Sequence, residues 1–177
     1  GAISFEKGQK EVAIKHFRKV IELRPHHPHA YNNLGAALID IDEYEEAKSN
    51  LKKAIELQPD YAEAYNNLGN VYIEMEEYNQ AISVYEKAIE LNPEYYEAHS
   101  NLGNMLHELG RLDEAVASYN QAIALKPDYA EAYSNLGITL KEQGRLDEAV
   151  SNYEQAIALK PDYAEAYSNL GITLKEQ

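Results

Sequence analysis

Residues 127–143 read PDYAEAYSNLGITLKEQ, and the same seventeen residues return unchanged at 161–177. The offset of 34 governs the rest of the chain as well. Gly1, Gly35, Gly69, Gly103, Gly137 and Gly171 follow it, as do Pro25, Pro59, Pro93, Pro127 and Pro161, and Ala13, Ala47, Ala81, Ala115 and Ala149. A fixed period of this length describes stacked supersecondary units, each leaning on its neighbours, rather than one chain wrapped about a single centre.

Within a unit the apolar spacing is helical. Tyr65, Leu68, Gly69 and Tyr72 fall at i, i+3, i+4 and i+7, and Ala81, Val84, Tyr85 and Ala88 repeat that spacing on a second helix. Glu76-Glu77 separates the two, and Gly110-Arg111 or Gly144-Arg145 stands there further along, where glycine suits a tight connection of unusual backbone conformation. Each second helix runs into Leu-x-Pro, where proline stops it. Asp-x-x-Glu follows (Asp60/Glu63, Asp128/Glu131, Asp162/Glu165) and is expected to cap the next helix. Gly69 is expected to face Ala81 across the hairpin.

The pattern Tyr65-x-x-Leu68-Gly69-x-x-Tyr72, then Ala81-x-x-x-Tyr85 and Pro93, resembles the tetratricopeptide repeat (TPR), with Tyr in place of the usual Trp. The resemblance covers the whole chain. It implies four full units at 28–61, 62–95, 96–129 and 130–163, the remainder of a truncated unit at 1–27, and a lone first helix at 164–177. It also implies an all-α, right-handed superhelical solenoid of antiparallel helix pairs, one continuous domain with first helices lining its concave side. Because 164–177 repeats an internal helix without a more polar outer face, truncation explains it better than a cap.

Composition narrows the function. Lys and Arg number 16 against 30 Asp and Glu, a formal net charge of −14, which argues against a phosphate-backbone partner. The charge is uneven: residues 1–27 carry six cations and three glutamates, whereas 62–95 carry seven glutamates and Lys87 alone. There is no cysteine, which removes disulfides and thiolate chemistry. No apolar run reaches transmembrane length, so no membrane partner is expected, and a cytoplasmic setting fits.

No motif joins a nucleophile to a base, and a non-catalytic chain without cofactors is expected. "DIDEYEEA" at 40–47 lacks the third ligand and glycine of a calcium loop, and "HELGR" at 107–111 lacks the second histidine of a zinc-protease helix. His26, His27 and His29 read as a polar turn broken by Pro28 rather than a metal site. Tyr85, Tyr119 and Tyr153 sit at core spacing and are expected to fill the groove between helices.

The informative feature lies opposite the core stripe of the first helices. Glu63, Asn66, Asn67, Asn70 and Glu74 form one polar stripe, repeated as Glu97, Ser100, Asn101, Asn104 and Glu108, and again as Glu131, Ser134, Asn135, Ile138 and Glu142. One column is always asparagine: Asn33, Asn67, Asn101, Asn135 and Asn169. Asparagine inside a helix costs about 0.5 kcal/mol relative to the best formers, so five at one position call for a reason. An amide both donates and accepts and can pair with a peptide backbone. The column resembles the asparagine ladder in the repeat arm of O-linked N-acetylglucosamine transferase, and "AHSNLG" and "AYSNLG" resemble that arm in particular. The resemblance implies a scaffold that binds extended, basic or neutral peptide segments through Asn33, Asn67, Asn101, Asn135 and Asn169, with Asn66, Asn70, Asn104, Glu74 and Glu108 beside them. Three alternatives stay open: a bridge between helices copied by duplication, a recruiting arm of a larger enzyme, and a self-stacking structural module. Glu63, Glu97, Glu131 and Glu165 disfavour a carboxylate ligand. End-to-end association through 164–177 is a further expectation, since Tyr167, Leu170 and Leu174 have no second helix over them.

Overall fold

Proline turns set where each helix pair begins. In Gln58-Pro59-Asp60-Tyr61 the Tyr61 N–H reaches the Gln58 carbonyl at 3.2 Å, a β-turn with proline as its second residue. The Tyr129 and Tyr163 N–H groups close the same turn onto Lys126 and Lys160 at 3.2 and 3.0 Å. The computed structural model describes the backbone of residues 2–177 and the side chains of residues 9–177; Gly1, first of the glycine series, lies outside the described residues. Ten helices form among the described residues: α1 Ala2–Leu23, α2 Pro28–Ile39, α3 Tyr44–Leu57, α4 Ala62–Glu74, α5 Tyr78–Leu91, α6 Tyr96–Glu108, α7 Leu112–Leu125, α8 Ala130–Glu142, α9 Leu146–Leu159 and α10 Ala164–Glu176. None is long and apolar enough to cross a membrane.

The expected capping by Asp-x-x-Glu does not occur. The N-caps of α4, α8 and α10 are Tyr61, Tyr129 and Tyr163, and none makes a side-chain cap bond. The β-turn delays each helix by one residue, which leaves Asp60, Asp128 and Asp162 outside the cap position. Glu63, Glu131 and Glu165 still lie in the first turn, where the helix dipole favours a carboxylate.

The turns inside the pairs repeat one geometry. Asp42, Glu76, Gly110 and Gly144 have φ of 63°, 58°, 71° and 75°. At Glu76 the N–H bonds to the Ile73 carbonyl at 2.9 Å, and the next N–H, of Glu77, reaches back to Tyr72 at 2.8 Å. This pair of bonds is a Schellman motif, which satisfies two carbonyls at the end of α4 and turns the chain into α5.

Packing divides the chain into two compact units, Gly1–Pro93 and Glu94–Gln177. In the first, α1 packs on α2, α2 on α3, α3 on α4 and α4 on α5, and the first helices α2 and α4 also touch. In the second the same order runs from α6 to α10, with α6 touching α8 and α8 touching α10. Ala81, Tyr85 and Ala88 of α5 are wholly buried, and so are Ala149, Tyr153 and Ala156 of α9. Burying one such large side chain contributes about 1.5–3 kcal/mol.

Gly69 does not face Ala81 as its nearest neighbour. A Cβ there would stand 2.4 Å from the Tyr85 ring, and at Gly103 and Gly137 it would meet Tyr119 at 2.8 Å and Tyr153 at 2.7 Å. Where the second helix carries Leu51 instead of tyrosine, Gly35 meets that side chain at 2.6 Å. The glycine column therefore makes room for a large side chain sixteen residues later, whose reach across the hairpin exceeds that of alanine.

Candidate peptide-binding surface

Successive first helices carry the polar stripe, and their contacts decide which of its groups remain open. In the first unit Asn67 Nδ2 donates to Asn32 Oδ1 at 2.9 Å, and Asn32 Nδ2 donates to Glu63 Oε1 at 2.9 Å. Asn32 is wholly buried, whereas its neighbour Asn33 is exposed. In the second unit Asn135 Nδ2 donates to Asn104 Oδ1, again at 2.9 Å. The column of asparagines thus bonds to neighbouring columns rather than along itself. Asn101 and Asn169 of the same column are half-buried in that unit.

These bonds correct the expectation that the column's amides are free to pair. One N–H of Asn67 and one of Asn135 hold the adjacent first helix, as a bridging residue would. Asn66, expected on the binding face, is buried to 5% exposure, like Ser100 and Ser134 in the same column, and so belongs to the packing between helices. Asn70 and Asn104 are half-buried and accept the hydroxyls of Tyr85 at 2.6 Å and Tyr119 at 2.7 Å. Asn104 Oδ1 therefore takes two donors, which uses both its lone pairs.

The tyrosines fill the interhelical groove as their spacing predicts. Tyr119 is 2% exposed, and burial pushes the hydroxyls of Tyr85 and Tyr119 well above the usual phenol range. Tyr153 is buried equally, but Ile138 stands where its asparagine would be. Its hydroxyl faces Thr173 instead, without a well-formed hydrogen bond.

The acidic column has unequal surroundings. Glu74 accepts the Tyr44 hydroxyl at 3.3 Å; Tyr44 also donates to Asp42 at 2.8 Å, and chiefly that bond raises its pKa to about 12. Glu142 stands 3.2 Å from His107 Nε2, and Glu176 2.9 Å from Lys141 Nζ. Among the described residues Glu108 has only His107 Nδ1 within ion-pair distance, at 3.8 Å, and its side chain is 74% exposed. Glu131 pairs with Lys160 at 3.2 Å.

Asn104, His107, Glu108, Tyr119, Asn135 and Ile138 together line a cavity of about 430 Å³. His107 is the residue that sequence reasoning missed, having considered it only within a zinc motif. The signal was present in the period: His107 and Glu142 stand 35 residues apart, as do the paired Lys141 and Glu176. Of the histidines in the first inter-repeat turn, His29 is engaged. His29 Nδ1 lies 2.7 Å from the Tyr61 hydroxyl, and the His27 and His29 rings meet edge to face at 5.7 Å. Among the described residues no three or more His, Cys, Asp or Glu gather as metal ligands.

No curated protein matches the chain. Solved structures do. YrrB, described as "a TPR protein with an unusual peptide-binding site", is 32% identical over 93% of this chain and 84% of its own, with a TM-score of 0.77. MamA is 31% identical over 90% of this chain and 94% of its own, at 0.77. TTC0263, a thermophilic TPR protein in Thermus thermophilus, is 27% identical over 99% and 95%, at 0.79. The TPR repeat family itself matches at residues 1–41, 37–76, 69–110, 103–144 and 139–177. With helix pairs, turns and glycine–tyrosine packing recurring at that same period, the chain belongs to the tetratricopeptide repeat family, as an all-α module of the protein-binding scaffold kind.

Proposed function

We propose that this module, with repeat units at 28–61, 62–95, 96–129 and 130–163, binds extended peptide segments by their backbone through Asn33, Asn67, Asn101, Asn135 and Asn169. The observation that carries this reading is the polarity of the column. Asn67 and Asn135 each commit an N–H to a neighbouring helix. Among the described residues no donor reaches the Oδ1 of either. Two half-buried amides thus offer carbonyl oxygens, which suit the N–H edge of an extended chain. Acidic Glu74 and Glu108 beside them favour neutral or basic segments, and the peptide-binding site in YrrB's description agrees with a peptide ligand.

The test is Asn67→Ala combined with Asn135→Ala, titrated with peptides of several sequences. Each lost backbone bond should weaken binding by about 0.5–1.5 kcal/mol, similarly for every peptide. The same substitutions remove two interhelical bonds, so the melting temperature should fall slightly although alanine favours helix. Unchanged peptide affinity beside a lowered melting temperature would make the column purely a structural bridge.

A further inference from the structure

We infer that the cavity lined by Asn104, His107, Glu108, Tyr119, Asn135 and Ile138 takes a lysine or arginine side chain of the bound segment. The inference rests on the peptide-binding reading and adds a specificity subsite to it. Three properties of the cavity favour a cation on an aliphatic stem.

The first is unmet acceptor capacity. Glu108 has no lysine or arginine within ion-pair distance among the described residues, and Asn135 keeps its Oδ1 without a donor while its Nδ2 is held by Asn104. The second property is that no lysine or arginine stands among the described residues that line the cavity. Lys141, the lysine nearest along α8, is engaged 2.9 Å from Glu176. An anionic side chain would therefore meet the Glu108 carboxylate with no lysine or arginine in the lining.

The third property is the wall. Ile138, half-buried at the cavity, supplies apolar surface beside the polar groups. A lysine or arginine stem lies along such surface while its head reaches a carboxylate. A short polar side chain would leave the wall uncovered, and a purely apolar one would leave Glu108 and Asn135 unpaired. Amides in the peptide backbone have their own complement here: Asn135 Oδ1 accepts, and Asn104, whose Oδ1 is saturated by Tyr119 and Asn135, offers Nδ2.

The experiment is a host–guest titration. Blocked Ser/Ala/Thr peptides carrying one central guest residue, lysine, norleucine or glutamate, are added to the ¹⁵N-labelled full chain. Binding is read from the resonances of Asn104, Asn135 and His107. The lysine guest should bind about five-fold more tightly than norleucine, a modest ratio because Glu108 is largely exposed, and glutamate should bind most weakly. Glu108→Gln should reduce the lysine preference to near unity. Glu154→Gln removes an exposed charge outside the cavity and should preserve the preference.

Equal binding of all three guests at Asn135 would overturn the subsite and leave the backbone ladder standing. Binding of none would remove the ladder reading, and the subsite with it. A lysine preference that survives Glu108→Gln would assign it to the overall charge of −14 and also overturn the subsite.

Discussion

At the scale of single residues, identical side chains acquire different roles from what lies opposite them. Gly69 and Gly171 occupy equivalent places in α4 and α10. A Cβ at Gly69 would press to 2.4 Å on a Tyr85 ring that is wholly buried and tied to Asn70, whereas a Cβ at Gly171 meets nothing within 4 Å. Gly69→Ala should therefore destabilise the chain by about 1–3 kcal/mol through overpacking. Gly171→Ala should stabilise α10 by up to about 1 kcal/mol, since only helix propensity changes there. Opposite shifts of the urea midpoint are the expected outcome; shifts of the same sign would contradict the glycine–tyrosine account. The sequence's period alone placed glycine at a close approach. It misassigned the partner, because small residues on both helices suggested a backbone contact and the ring's reach from position 85 carries no periodic mark.

At the scale of elements, helix positions were legible and helix ends were not. Apolar spacing located the helices because 3.6-residue periodicity survives any choice of cap. The Asp-x-x-Glu signal failed because the proline turn places tyrosine at the N-cap, a detail of turn geometry that composition does not reveal. The turns within the pairs were better marked. Gly110 and Gly144 announce a left-handed residue, and Asp42 and Glu76 adopt the same conformation without the glycine signal. Glu76 incurs a steric cost there that glycine avoids, offset in part by glycine's greater freedom when unfolded. Glu76→Gly should therefore stabilise the chain by about 0.5–1 kcal/mol, read from denaturant unfolding. A loss of stability would mean that the Glu76 side chain contributes more than its backbone costs.

The start of α8 supplies a pH prediction. Glu131 accepts a hydrogen bond from its own backbone N–H and pairs with Lys160, and these hold its carboxyl below the usual range against a smaller opposing effect of burial. A depressed folded pKa contributes stability above the unfolded value, and that contribution is lost as pH falls through the folded value. Because the side chain is about half exposed, solvent screening limits the effect to a few tenths of a kcal/mol, roughly. Glu131→Gln should be slightly less stable than the parent at neutral pH, and the difference should shrink as pH falls below the usual glutamate range. A difference that grows on acidification would reverse the assignment.

At the scale of the molecule, the repeat makes the chain its own control. Helices α8 and α10 have the same sequence, AEAYSNLGITLKE, so propensity and side-chain chemistry cancel between them. Only their surroundings differ. α8 packs against α7 and α9 and buries Leu136 and Leu140. α10 packs against α9 and touches α8, and leaves Tyr167, Ile172 and Leu174 about half exposed. In a repeat array stability is close to a sum of unit and interface contributions, so a helix with fewer neighbours opens at lower free energy. Amide exchange in dilute solution should therefore be distinctly faster along α10 than along α8, although both begin in the same turn and end on the same residues. Tightening of α10 as protein concentration rises would show a second copy covering Tyr167, Ile172 and Leu174. Equal protection at every dilution would mean that the hairpin contact with α9 alone stabilises the helix, and that neighbour number does not set local stability in this array.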